Sequence, residues 1–106
     1  IHASQVQGMK QILANFNKAF ESRVRLGIMS VLAVNPAMDF TGLKETLAVT
    51  DGNLASHLRA LEEAGYIRME KSFINRKPNT SYSITDDGME SFSSHLKALE
   101  ELIRNQ

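Results

Sequence analysis

The sequence predicts a mainly α chain with one small β-hairpin, an α+β fold in which long terminal helices flank a short-helix core. Three observations predict it. Apolar residues recur at three- and four-residue spacing near both ends of the chain. Between them lie three shorter helical segments, each preceded by a residue able to cap it. After Gly65 the apolar period changes from 3.6 to 2 and stays there until Thr85. With 106 residues, 42% hydrophobic and 23% charged, the chain has the size and composition of one globular domain. No repeat, low-complexity run or Pro/Ser linker divides it. Residues 9–106 are therefore read as one domain. Gly8-Met9 is what a cleaved tag followed by an initiator Met would leave, so residues 1–8 read equally as a vector remnant or a flexible native flank.

The first helix is expected to carry Val6, Met9, Leu13, Phe16 and Phe20 on one narrow stripe. Ser22 is placed to cap the next, with Val24, Ile28, Val31 and Leu32 inward, and Asn35-Pro36 stops it because the residue before a proline avoids helical geometry. Asp39 or Thr41 caps a short helix bearing Phe40, Leu43 and Leu47. Thr50 caps the following one, with Leu54, Leu58 and Leu61 inward, and Ala64-Gly65 ends it with a glycine suited to a left-handed turn. In Tyr66–Phe73, Ile67, Met69 and Phe73 alternate with polar residues, as Tyr82 and Ile84 do in Ser81–Thr85. Asn75–Asn79 is expected to be the turn of that hairpin, stiffened by Pro78. Thr85 then caps a long helix with Asp86 and Asp87 in its positive first turn and a stripe of Met89, Phe92, Leu96, Leu99 and Ile103.

The connection Ala48-Val49-Thr50 has helix-turn-helix length. The run from Thr50 to Ile67, TDGNLASHLRALEEAGYI, resembles the recognition helix and first wing strand of winged-helix transcriptional regulators. Phe20–Met29 resembles the first helix of that domain, and Arg76–Thr85 its wing and the entry to the last helix. Together they are similar to small single-domain regulators related to the ArsR and MarR classes, from about Phe16 to Leu102. The resemblance implies a winged helix-turn-helix that binds double-stranded DNA, with the helix at about 50–64 in the major groove and the wing at about 74–80 on the minor groove or backbone.

Helix geometry supports that reading separately. At 100° per residue from the Leu54/Leu58/Leu61 face, Gly52, Ser56 and Arg59 point nearly opposite the core and Asn53 lies on the flank. Small Gly52 and Ser56 allow close approach to base edges, Asn53 suits adenine, and Arg59 suits guanine or a phosphate. Thr50 adds a hydroxyl at the helix start. His57 falls nearer the core edge, where packing or a phosphate suits it better than base readout. At the wing, Arg76 and Lys77 are the cations, with Asn79 and Thr80 beside them. The competing reading of both groups is a solvated polar face.

The terminal stripes need cover, since each exposed large apolar side chain forgoes about 1.5–3 kcal/mol. Met9, Leu13, Phe16, Met89, Phe92, Leu96, Leu99 and Ile103 therefore pack on each other or on a second chain, and a homodimer facing a palindromic operator is expected. The chain has no cysteine, which excludes disulfides and thiolate metal sites and fits a reducing cytoplasm. No second histidine stands three or four residues from His95, so it reads as structural, and neither metal nor cofactor is expected. No nucleophile elbow, phosphate loop or HExxH occurs, which argues against an enzyme. No apolar run spans a bilayer. Two other readings stay open: a winged-helix protein-interaction module, and a ligand-responsive regulator whose effector pocket is lined by Met29, Met38, Phe40 and Met89.

Net charge is zero, yet unevenly spread. Residues 1–35 and 66–84 each carry +3, whereas 36–65 and 85–106 each carry −3. The basic surplus falls on the first helices and the wing. The acidic helix-turn-helix predicts weak binding to random DNA.

Overall fold

The computed structural model describes residues 3–104. Helix α1 (Ala3–Ala14) leads through a 3-10 turn (Lys18–Phe20) into α2 (Arg23–Val34). A two-residue strand β1 (Met38–Asp39) precedes α3 (Phe40–Leu47) and α4 (Asp51–Glu63). The hairpin β2 (Ile67–Ile74) and β3 (Lys77–Ile84) follows, then α5 (Asp86–Arg104). The three strands form an antiparallel sheet in the order β1-β3-β2.

The capping residues read from the sequence set the helix starts. Ser22 Oγ accepts the Arg25 N–H at 3.4 Å, Asp39 Oδ1 that of Gly42 at 2.7 Å, and Thr50 Oγ1 that of Asn53 at 3.2 Å. Each satisfies a donor that a helix start leaves without an intrahelical partner. Thr85 Oγ1 accepts the Gly88 N–H at 2.9 Å and donates to the Gly65 carbonyl at 2.7 Å, tying the start of α5 to the end of α4. There Gly65 has φ of 81°, the Tyr66 N–H reaches the Leu61 carbonyl at 3.0 Å, and the Gly65 N–H reaches Glu62 at 2.9 Å. That pair of bonds is a Schellman closure, which turns the chain directly into β2.

The core joins Leu54, Leu58 and Leu61 of α4 to Ile28, Met29 and Leu32 of α2, Leu43 of α3, Phe20 and Phe92. Gly88 brings α5 against the backbone at Tyr66: a Cβ there would stand 2.0 Å from the Tyr66 carbonyl oxygen.

Four expectations need correction. The N-terminal stripe is not one helix: α1 ends at Ala14, Phe16 lies in the connection, and Phe20 sits in the 3-10 turn. Asn17 makes the break, its Oδ1 capping the 3-10 turn at the Ala19 N–H while its own N–H donates to His95 Nδ1 at 3.0 Å. The hairpin turn is only Asn75-Arg76, both left-handed with φ of 52° and 67°, as a type I′ turn requires. Pro78, Asn79 and Thr80 therefore belong to β3, opposite Phe73, Ser72 and Lys71. Pro78 is tolerated because the pair next to a hydrogen-bonded hairpin end makes no ladder bonds, and β1 stops short of it. Strand β1 was absent from the sequence reading, two residues being too few to show a period. Finally, Phe92 was assigned to a dimer face, but it is 4% exposed and packs edge-on to Phe20 in its own chain's core.

Candidate nucleic-acid interface

Burying Leu54, Leu58 and Leu61 fixes which side of α4 faces out. Gly52, Asn53, Ser56 and Arg59 are all exposed, as is the cap Thr50, in the arrangement that the 100° rotation predicts. Nothing lies within 4 Å of a Cβ built on Gly52, so that position is open to whatever α4 meets. The acidic charge at the start of α4 is countered locally: Lys44 Nζ of α3 stands 2.8 Å from Asp51 Oδ1.

His57 is half-buried, and its Nδ1 accepts the Arg25 Nε–H at 2.9 Å. Burial, and then the Arg25 charge, push its pKa below the usual value, so the ring stays a neutral acceptor. His57 therefore holds an arginine of α2 against α4. That role was not read from the sequence, because the partners are 32 residues apart. Arg23 was missed as well. It joins Val24, Leu47, Ala48, Val49, Thr50 and Asn53 around a shallow concavity where the starts of α2 and α4 meet. A local signal existed: the first turn of α2 holds Arg23 and Arg25 and no acidic residue. Cations at a helix N-terminus oppose the macrodipole, and such local conflicts gather at functional surfaces.

The other cations stand at the hairpin tip. Arg76 and Lys77 are exposed there, while Asn79 and Thr80 are half-buried along β3. The eight-residue strands carry this tip away from the core, and only Ile67 and Tyr82 of the hairpin are buried.

On α5, His95 is buried between Phe16 and Phe20, with ring centroids 5.3 and 5.5 Å away. Burial lowers its pKa, against an opposing pull from Glu21, and its Nδ1 is occupied by the Asn17 N–H. Among the residues assigned to a dimer face, Leu13, Met89, Leu96 and Ile103 are exposed, and Met9, Phe16 and Leu99 are half-buried. Of the residues considered for an effector pocket, Met29 is sealed in the core and Met38 and Phe40 pack onto it, while Met89 is exposed on α5.

Helix-turn-helix, hairpin and closing helix agree with a family model described as a winged helix DNA-binding domain, which matches residues 24–103. The chain belongs to that winged-helix family. An uncharacterized protein of Methanocaldococcus jannaschii is 38% identical over 88 residues, covering 83% of this chain and 96% of its own. The winged-helix fold also superposes on a transcriptional regulator homologue from Pyrococcus horikoshii OT3, with a TM-score of 0.81 and 35% identity, covering 92% of this chain and 95% of that one. The transcriptional repressor CouR, solved bound to a 23-mer DNA duplex, shares the fold at a TM-score of 0.70 and 21% identity, over 92% of this chain and 68% of its own. The winged-helix architecture here is thus that of transcriptional regulators. No described helix is long and apolar enough to cross a membrane.

Proposed function

We propose that this winged-helix protein is a sequence-specific double-stranded DNA-binding regulator that acts as a homodimer and represses transcription by occupying a palindromic operator. The observation that carries the reading is the presentation of α4. Its apolar face is fully buried while Gly52, Asn53, Ser56 and Arg59 are all left outside. A helix so presented fits the major groove, whose base edges Asn53, Ser56 and Arg59 are chemically suited to read. Arg23 and Arg25 on one side and Arg76 and Lys77 on the other supply phosphate contacts that fix register, with the hairpin tip reaching the minor groove or its backbone. The exposed side chains of Leu96 and Ile103 on α5 and Leu13 on α1 form the face for a second copy.

Salt dependence tests this against a protein-interaction role for the same surface. Binding to duplex DNA should weaken log-linearly with salt, and Arg76→Ala and Lys77→Ala should each lower the slope by about one. Asn53→Ala and Ser56→Ala should alter sequence preference with little change in slope. Absence of salt-dependent duplex binding would favour the interaction module instead.

A further inference from the structure

The hairpin tip carries apolar side chains that the phosphate-contacting role leaves unexplained. Phe73 is 76% exposed and Ile74 is 55% exposed. Alternation along β2 puts Phe73 on the same face as Ile67 and Met69, which pack into the core. Phe73 has no such cover because the hairpin outruns the core. The last covered apolar pair on that face is Met69 opposite Tyr82, and Phe73 opposite Pro78 lies about 13 Å further out along the strand. In a two-residue hairpin, that second pair makes no ladder bonds and brings its side chains close together. Phe73 and Pro78 therefore form one apolar doublet on a single face of a ribbon only two strands wide.

Its surroundings are cationic. Residues 71–80 contain Lys71, Arg76 and Lys77 and no acidic residue. An apolar doublet ringed by cations complements a polyanion whose interior is apolar, and stacked base pairs between two phosphate backbones have that character. The two-residue turn at Asn75-Arg76 keeps the tip narrow, so that its side chains, and not the ribbon as a whole, can reach into a minor groove about 6 Å wide. Phe and Pro are among the side chains that wedge between base steps from the minor groove and kink the duplex.

We propose that the hairpin is a DNA-bending wedge: Phe73, backed by Pro78, inserts at a base step while Arg76 and Lys77 grip the flanking phosphates. The inference rests on the DNA-binding reading and extends it from contact to deformation. It favours pyrimidine–purine steps beneath the tip, since these unstack most easily.

The test uses the full chain with duplexes labelled at both ends with a donor and an acceptor dye, one with a TA step at the wing position and one with a GC step. Wild-type protein should raise energy transfer on binding, more for the TA duplex. Phe73→Ala should bind with an unchanged salt slope and lose most of that rise, and Phe73→Leu should restore much of it. Arg76→Ala should lower the slope by about one and keep the bend in the complexes that form. Bending by Phe73→Ala equal to wild type would overturn the wedge while leaving DNA binding intact. So would wild-type binding without bending, or a Phe73→Ala defect confined to self-association or to adsorption on anionic vesicles. Absence of duplex binding at any salt would remove the DNA reading and the wedge together. Phe73 is exposed, so its replacement leaves the core undisturbed.

Discussion

Gly88 and His95 show how single residues on α5 hold the winged domain in shape. A methyl group at Gly88 would have to displace the Tyr66 backbone, and Tyr66 is where α4 hands over to β2. Gly88→Ala should therefore destabilise by about 3 kcal/mol or more, the range of severe overpacking, despite alanine's better helix propensity. Denaturant titration checks this, and an unchanged midpoint would contradict the close approach. The histidines give a pH dependence of definite sign. His57 and His95 both accept hydrogen bonds through Nδ1 as neutral rings, and both have pKa values lowered from the ordinary 6.5 by burial. Their unfolded forms bind protons first on acidification, so their stabilising contribution is complete above pH 6.5 and is lost as pH falls from there through their lower folded values. Thermal midpoints should drop between about pH 7 and about pH 5.5. A rise over that interval would contradict the assignment. At this scale the caps were legible in the sequence, because a cap bonds a neighbour two or three residues away. The Arg25–His57 bond was not, because its partners meet only after α2 and α4 pack.

Among the elements, α4 was the most legible, since its three buried leucines and its polar face are both functions of one rotation. Its exposed start makes a clean test of what it meets. Gly52→Leu adds bulk where nothing lies within 4 Å, so the fold should keep or slightly gain stability from the helix propensity. Duplex affinity should fall at least tenfold, since the helix must then stand off from the groove floor by a side chain. Equilibrium binding and a thermal melt on the same preparation separate the two effects. An unchanged affinity would mean that this face does not approach bases. Other elements were less legible for identifiable reasons. Phe16 and Phe20 keep a helical phase with Leu13, although Asn15–Asn17 breaks the helix, so periodicity ran through the interruption. Pro78 looked like a turn residue because its place in a pair without ladder bonds depends on register, which the tighter Asn75-Arg76 turn sets. Phe92 fits the terminal stripe by spacing, and spacing does not say which apolar neighbour a side chain finds.

The molecule as a whole is extended, 63 × 25 × 21 Å with a radius of gyration of 16.4 Å, against about 13 Å for a compact chain of this length. Its accessible surface of 7330 Å² exceeds by about 1,400 Å² the roughly 5,900 Å² typical of a monomer of this mass. That excess is more than the roughly 800 Å² that each partner buries in a standard interface. Part of the uncovered apolar surface, at Leu13, Met89, Leu96 and Ile103, lies on the terminal helices. The zero net charge takes on a different meaning here. The basic surplus falls in the segments of α2 and the hairpin and the acidic surplus in those of α3, α4 and α5, with Lys44 offsetting Asp51 at the start of α4, so neutrality of the sum coexists with an uneven distribution of charge. The charge split was legible in the sequence, but the pairing that makes it workable was not. The central claim is a dimer that reads DNA through two copies of α4, and selection of bound duplexes from a random pool by the purified protein tests it most directly. The account predicts enrichment of an inverted repeat whose half-site centres lie about one helical turn, roughly 34 Å, apart. Recovery of no enriched sequence, or of a single half-site without symmetry, would contradict it.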